Sequence, residues 1–473
     1  MGNTPKQQGE LKQSLTLGAS IILVVSSIIG SGVYKKVAPM SAELLSPSLV
    51  LLCWLLAGVI SLFGALSNAE IAGMLADSGG EYVYFKRIYG RFMAFLYGWS
   101  VFTVIKSSAV ASIAYLFSHS LNSIVPLPHL PLSLEQMEFL NAFKPFENFG
   151  VKLLTILLIV GLTFINTRGL KLGSSLSNSI TRLILAGLAI IVISGLFFGG
   201  GNISGITHNS SLYVQKSWYD FGLIKAMFAA MLAAFWAYEG WNSVGFLGGE
   251  IKNSKKNLPL ALFGGMAIVI TVYLLVNFTY LFVLPIDSLV EVHKSQNAIA
   301  AVTVVSSFAG GTGVMMLSFL ILITAFGCTN STILMPPRIY YAMAKDGLFF
   351  SKAAEIHPEY NSPNYALWIQ AVWASLLVVS GGFDQLTDML VFAAFFFYGA
   401  TTLGVFIMRV KEPHLERSYK VWGYPVIPAF FILFCLVLVV ISFFTNTREA
   451  LLGAMLMAAG IPFYLYWNAK SSK

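Results

Sequence analysis

Along this chain, long stretches without a single Asp, Glu, Lys or Arg alternate with short clusters that carry most of the charge. The uncharged stretches run over 13–34, 44–69, 92–134 (broken by Lys106), 153–167, 183–215, 226–249 (broken by Glu239), 257–286, 295–337, 360–383, 389–408, 421–447 and 450–469. A helix crosses the roughly 30 Å of a bilayer core with about 20 apolar residues. The pattern therefore predicts an all-α polytopic membrane protein with twelve transmembrane helices. The longer stretches must also hold loops, such as Pro126 to Pro131 and Gly199 to Ser211. Spans four and five are the least sharply bounded, because Arg168, Lys171 and Arg182 lie between them.

Composition narrows the function. Of 473 residues, 57% are hydrophobic and 11% charged, which excludes a soluble enzyme and leaves no room for a separate catalytic domain. Twelve crossings put both ends on one side. Placing them in the cytoplasm puts 20 of the 29 Lys and Arg residues inside, seven outside, and Lys106 and Lys225 within spans. Cytoplasmic loops carry the excess of basic residues, so the tails 1–12 and 470–473 are expected inside the cell. The net charge of +8 reflects this orientation against an anionic inner leaflet and does not point to nucleic acid.

The polar N-terminal segment lacks a signal-peptide core, so the first stretch is expected to be retained. Lys6 stands where a myristoylation motif needs Ser or Thr. Cys53, Cys328 and Cys435 are too far apart for a metal-spaced pair, and the six histidines fall in loops or at span ends. There is no GxxxxGK[ST], HExxH or GxSxG sequence. No enzyme activity, cofactor or metal site is expected.

Two spans contain helix-breaking runs, Ile28-Ile29-Gly30-Ser31-Gly32 in the first and Tyr238-Glu239-Gly240-Trp241-Asn242 in the sixth. Glycine costs about 1 kcal/mol per helix position relative to alanine, and unpaired backbone in hydrocarbon costs several more. Such a break persists where its freed groups meet protein, water or a ligand. Spans one and six are equivalent if the first ten spans form two five-helix repeats, and breaks at equivalent positions point to a transporter binding site. The alternative is a small-residue packing face.

Four blocks carry a resemblance: IIGSGVY at 28–34, LSNAEIAGMLADSGGEYVYFKRIYGRFMAFLYGW at 66–99, FWAYEGWNSVGFLGGEIKNSKKNLPLAL at 235–262 and FGCTNSTILMPPRIYYAMAKDG at 326–347. Together they resemble the L-type amino acid transporter family of the amino acid, polyamine and organocation superfamily, and most of all its bacterial serine/threonine exchanger branch. The resemblance implies two inverted five-helix repeats, about 13–199 and 219–409, followed by two helices over about 421–469, with spans one and six interrupted.

It also implies a substrate held between the breaks. Backbone N–H groups around Gly30, Ser31 and Gly32 would take the α-carboxylate, and carbonyls near Ile28, Trp236 and Glu239 the α-ammonium. Trp236, Trp241 and Asn242, next to Gly240, would sort the side chain, and Trp236 would gate the site from outside. Lys171 matches the family's lysine at the inner part of span five, where its charge makes a sodium ion redundant; by position alone it reads as an inside-facing loop lysine, and the resemblance reverses that preference. The implied function is sodium-independent exchange of neutral L-amino acids such as alanine, serine or threonine, by alternating access, across the inner (plasma) membrane. A proton-coupled symporter, with Glu239 as a protonation site, is the alternative, and a channel is less favoured.

Several residues depart from the family pattern. An ionisable group near the bilayer centre costs at least about 2.5–3.5 kcal/mol on insertion scales, so Lys106 in span three either pairs with Glu239 or snorkels. Lys35 and Lys36 make the outer vestibule unusually basic. The loop from Phe117 to Gly150 has no cysteine, so no covalent heavy-chain subunit is expected. Charges in 72–91 and from Arg338 to Asp346 either pair across the cytoplasmic mouth or are solvated loop charge; surface pairs are worth under about 1 kcal/mol.

Overall fold

The computed structural model describes residues 13–471 except 31, 76–78, 123, 139–143, 296–298 and 446. Described elements are helical, with one isolated bridge between Leu15 and Ile251. Among the described residues, ten helical segments are long and apolar enough to cross a membrane: Pro47–Met74, Arg91–Asn122, Phe149–Thr167, Gly173–Phe198, Phe221–Phe246, Ser254–Val283, Ala300–Lys345, Gln385–Lys411, Val426–Phe444 and Thr447–Lys470. The two other expected stretches hold shorter apolar helices, Leu17–Ile28 in span one and Asn364–Ser380 in span nine.

Local chemistry explains where these helices start and bend. The Thr16 hydroxyl accepts the Ala19 N–H at the start of span one, and the Asp220 carboxylate accepts the Leu223 N–H at the start of span six, in each case satisfying a donor that a helix start leaves open. Span eight bends at Gly310, whose φ of 58° and ψ of −155° only glycine adopts without strain. The fifth helix begins at Leu170, earlier than the charge pattern indicates, and takes in Arg182. Long basic side chains can lie along a helix and still carry their charge to the interface, so a charge marks a span end less sharply than the pattern assumes.

The packing places span three at the centre. Its most apolar window is 94% buried, against 28% for spans five and twelve. Span two runs along span seven, span three along span eight, and span four along span nine. Several further contacts come in matched pairs: span one on seven and span six on two, span three on ten and span eight on five, span four on eight and span nine on three. Shifting each number by five converts one member of each pair into the other. Spans one and six are thereby brought together beside span three.

Candidate substrate site between spans one and six

Both breaks are open backbone held at close quarters. Span one leaves the helix at Ile29, with φ −70° and ψ 99°, and resumes at Gly32. Span six leaves it at Glu239, with φ −63° and ψ 149°, turns through Gly240 at φ 109°, and continues as a 3-10 helix over Trp241–Phe246. Glycine is required on steric grounds at two points. A Cβ on Gly32 would lie 2.2 Å from the Ala237 Cβ, and one on Gly240 would lie 2.3 Å from the Ser27 carbonyl oxygen. The breaks therefore clasp each other, span six against Gly32 and span one against Gly240.

Neighbouring side chains satisfy part of the freed backbone. The Tyr273 hydroxyl of span seven lies 3.1 Å from the Ile28 carbonyl and 2.9 Å from the Ala237 carbonyl, one from each broken span. Ser27 Oγ is 3.1 Å from the Gly240 carbonyl. Ile28, Ile29, Gly30, Gly32, Trp236, Gly240, Trp241 and Asn242 are all buried. Ser31 lies outside the described residues, as does the Lys171 side chain, although Lys171 falls on the span-five helix.

The structure brings Lys106 and Glu239 together. Lys106 Nζ sits 2.8 Å from Glu239 Oε1 with both side chains nearly inaccessible, so Lys106 does not snorkel. A π-helical turn over Val101–Ile105 immediately precedes Lys106; it inserts an extra residue into the helix and re-aims the side chains beyond it. The Tyr398 hydroxyl donates to the same Glu239 oxygen at 3.0 Å and also reaches Asn242 Oδ1 at 3.3 Å. The Asn242 amide donates in turn to Glu81 Oε2 at 2.6 Å.

Comparison with known proteins settles which class of molecule this is. The family model for amino acid permeases matches residues 15–464. The chain belongs to the amino acid permease family. It is 30% identical to the serine/threonine exchanger SteT of Bacillus subtilis (strain 168) over 96% of both chains. It is 31% identical to the human b(0,+)-type amino acid transporter 1, covering 98% of this chain and 91% of that one. To the mouse large neutral amino acids transporter small subunit 2 it is 27% identical, over 97% and 82%. This permease is thus a membrane-spanning amino acid transporter and not an enzyme.

Where span one begins and span six ends, three sets of contacts link the segments of the permease. Ser14 and Leu15 donate their N–H groups to the Glu250 carbonyl, and the Lys252 N–H donates to the Leu15 carbonyl, tying the start of span one to the end of span six. Arg338 Nε meets Glu250 Oε1 at 2.8 Å, with each side chain 1% exposed. Lys86 and the Tyr82 hydroxyl both reach Asp346, at 2.7 and 2.8 Å. Lys86 and Asp346 form a surface pair, whereas Arg338 is fully buried; its ion pair is therefore of another kind from solvated loop charge.

Glu81 is the main site residue that the sequence did not single out. It begins the loop helix Glu81–Tyr89, is 1% exposed, and accepts from Asn68, Tyr97, Asn242 and Thr401. Burial pushes its carboxyl up from the ordinary range, opposed by these donors and the Lys106 charge. The preceding Gly79 and Gly80, both with positive φ, fold the loop beneath span six, where a Cβ on Gly80 would meet the Gly245 carbonyl carbon at 2.7 Å. That Gly-Gly pair was the available signal. Tyr398 and Tyr273 gave none, since a tyrosine in an apolar run looks like any core residue.

Proposed function

We propose that this permease exchanges neutral L-amino acids, with small side chains such as those of alanine, serine and threonine favoured, by alternating access and without sodium. The observation that carries this reading is the clasp of two broken helices whose glycines admit no Cβ and whose freed backbone lies beside a neutral Lys106–Glu239 pair. A zwitterion suits such a place. Backbone N–H groups at Gly30 to Gly32 take the α-carboxylate and carbonyls near Ile28, Trp236 and Glu239 take the α-ammonium, so both charges are satisfied by dipoles. Trp236 closes over the substrate from outside, and Trp241 and Asn242 bound its side chain. The full-length similarity to a serine/threonine exchanger supports the substrate class and the exchange mode.

The membrane-embedded body is read as twelve spans in two five-helix repeats, 13–199 and 219–409, with two more helices over 421–469. The contact pairs related by a shift of five support this division. The distribution of basic residues supports cytoplasmic termini in an inner (plasma) membrane. Lys171 shares the span-five helix with Ser177, which joins Ser26, Asn330 and Ser331 in a polar cluster; the lysine supplies the fixed charge that replaces sodium. All three cysteines are buried and free, which supports a transporter without a disulfide-linked partner. A second reading, proton-coupled symport, draws on the two buried carboxylates, Glu81 and Glu239, served by one lysine. Counterflow in sodium-free proteoliposomes, with and without a pH gradient, separates the two: exchange depends on internal amino acid, symport on the gradient.

A further inference from the structure

We propose that the Lys106–Glu239 pair is a charge filter for the substrate side chain, admitting neutral side chains and rejecting both cationic and anionic ones. This rests on the substrate site lying between the breaks of spans one and six. Glu239 is the break residue of span six, one position from Gly240, which packs on Ser27 of span one. A charge there faces whatever occupies the clasp.

Both partners have unused hydrogen-bonding capacity. An ammonium has three N–H donors. Among the described residues, Lys106 meets only Glu239 Oε1 at 2.8 Å and the face of Phe246, 5.9 Å from the ring centre. Glu239 Oε1 accepts from both Lys106 and Tyr398, while Oε2 receives no hydrogen bond from the described residues. Spare donors and a spare acceptor therefore lie side by side, on side chains only 2% and 8% exposed. A hydroxyl, which donates and accepts at once, satisfies both without disturbing the ion pair, and this favours serine and threonine.

Charged side chains fare differently. A cationic one is drawn to Glu239 but must share it with Lys106 or displace it, which leaves a buried ammonium without its counter-charge. An anionic one does the same to Glu239. In either case the stranded ion costs more than the new pair returns. Glu81 feels the Lys106 charge but takes no hydrogen bond from it, since Asn68, Tyr97, Asn242 and Thr401 hold its carboxylate. The lysine thus occupies the position a cationic side chain would otherwise take, and removing either partner should change the charge that the site accepts.

The test compares the wild-type protein with Lys106→Met, Glu239→Gln and the double variant, each purified and monodisperse. Exchange of labelled serine is measured against unlabelled lysine or glutamate, and heat stability in detergent is measured with the same amino acids. Neither charged amino acid should compete in the wild type. Lysine should compete at least about tenfold more strongly in Lys106→Met, and glutamate in Glu239→Gln, with neither competing in the double variant; heat stabilisation should follow the same order. A wild type that lysine inhibits as well as serine does overturns the filter. So does a monodisperse Lys106→Met that lysine neither inhibits nor stabilises. A wild type that exchanges no amino acid while the heat-stability arms keep this order overturns the exchange reading and supports the filter.

Discussion

With the orientation proposed above, removing Arg338 should open the inner side of the transporter. Its guanidinium lies 2.8 Å from Glu250 and 2.6 Å from the Leu334 carbonyl. Arg338→Ala leaves the Glu250 carboxylate, 1% exposed, without its partner. Breaking one side of a buried ion pair costs about 3–5 kcal/mol. The Glu250 backbone also carries the contacts to Ser14 and Leu15 that tie span one to span six, so the cost falls on the closed state and is relieved when water reaches the carboxylate. If the whole cost acts on that equilibrium, the inward-open population rises by a factor of roughly 10² to 4 × 10³. Cys328 reports on this, because it is buried with its Sγ beside Gly30 at the span-one break. With Cys53 and Cys435 replaced by alanine, the rate of maleimide labelling at Cys328 should rise steeply in Arg338→Ala. It should fall back in an Arg338→Met/Glu250→Gln double variant, which removes both charges together. An unchanged labelling rate in a folded Arg338→Ala protein would refute the gating role of the pair.

Four further outcomes are expected at the site. Trp236→Ala should cut exchange far more than membrane expression, measured as transport per molecule of purified protein. Tyr273→Phe removes the hydroxyl that bridges the Ile28 and Ala237 carbonyls and should cost about 1–3 kcal/mol, visible in thermal unfolding. Gly240→Ala meets both a φ of 109° and the Ser27 carbonyl at 2.3 Å, and should abolish transport even where protein still reaches the membrane. Because burial raises the Glu81 carboxyl, the native state binds that proton more tightly than the unfolded chain. Its stabilising contribution is therefore complete below the ordinary carboxylate range and is lost as pH rises through the raised value; Glu81→Gln should flatten that part of the stability profile.

Much of this architecture was legible because hydrocarbon tolerates so few charges. The uncharged stretches fall on the long helices, and the two glycine runs fall on the two broken ones. Ends were less legible: Arg182 sits within the fifth helix because a long side chain decouples the charge from the backbone position. Lys106 and Glu239 stood out individually, but their pairing depends on a π turn that re-aims the lysine, and no residue pattern announces such a turn. In the sequence Arg338 is a loop charge that either pairs or is solvated; its burial depends on the end of span six folding back beneath it. Glu81 and Tyr398 join the site through contacts between segments more than 150 residues apart, which a linear reading does not connect.

The central claim, exchange of neutral amino acids through the clasp of spans one and six, is tested most directly by counterflow. Proteoliposomes holding the purified protein are loaded with unlabelled serine, placed in sodium-free buffer, and given labelled serine outside. Label should accumulate rapidly and transiently, and only when serine or another neutral amino acid is present inside. Equal accumulation in empty vesicles, or none with any amino acid inside, would contradict the account.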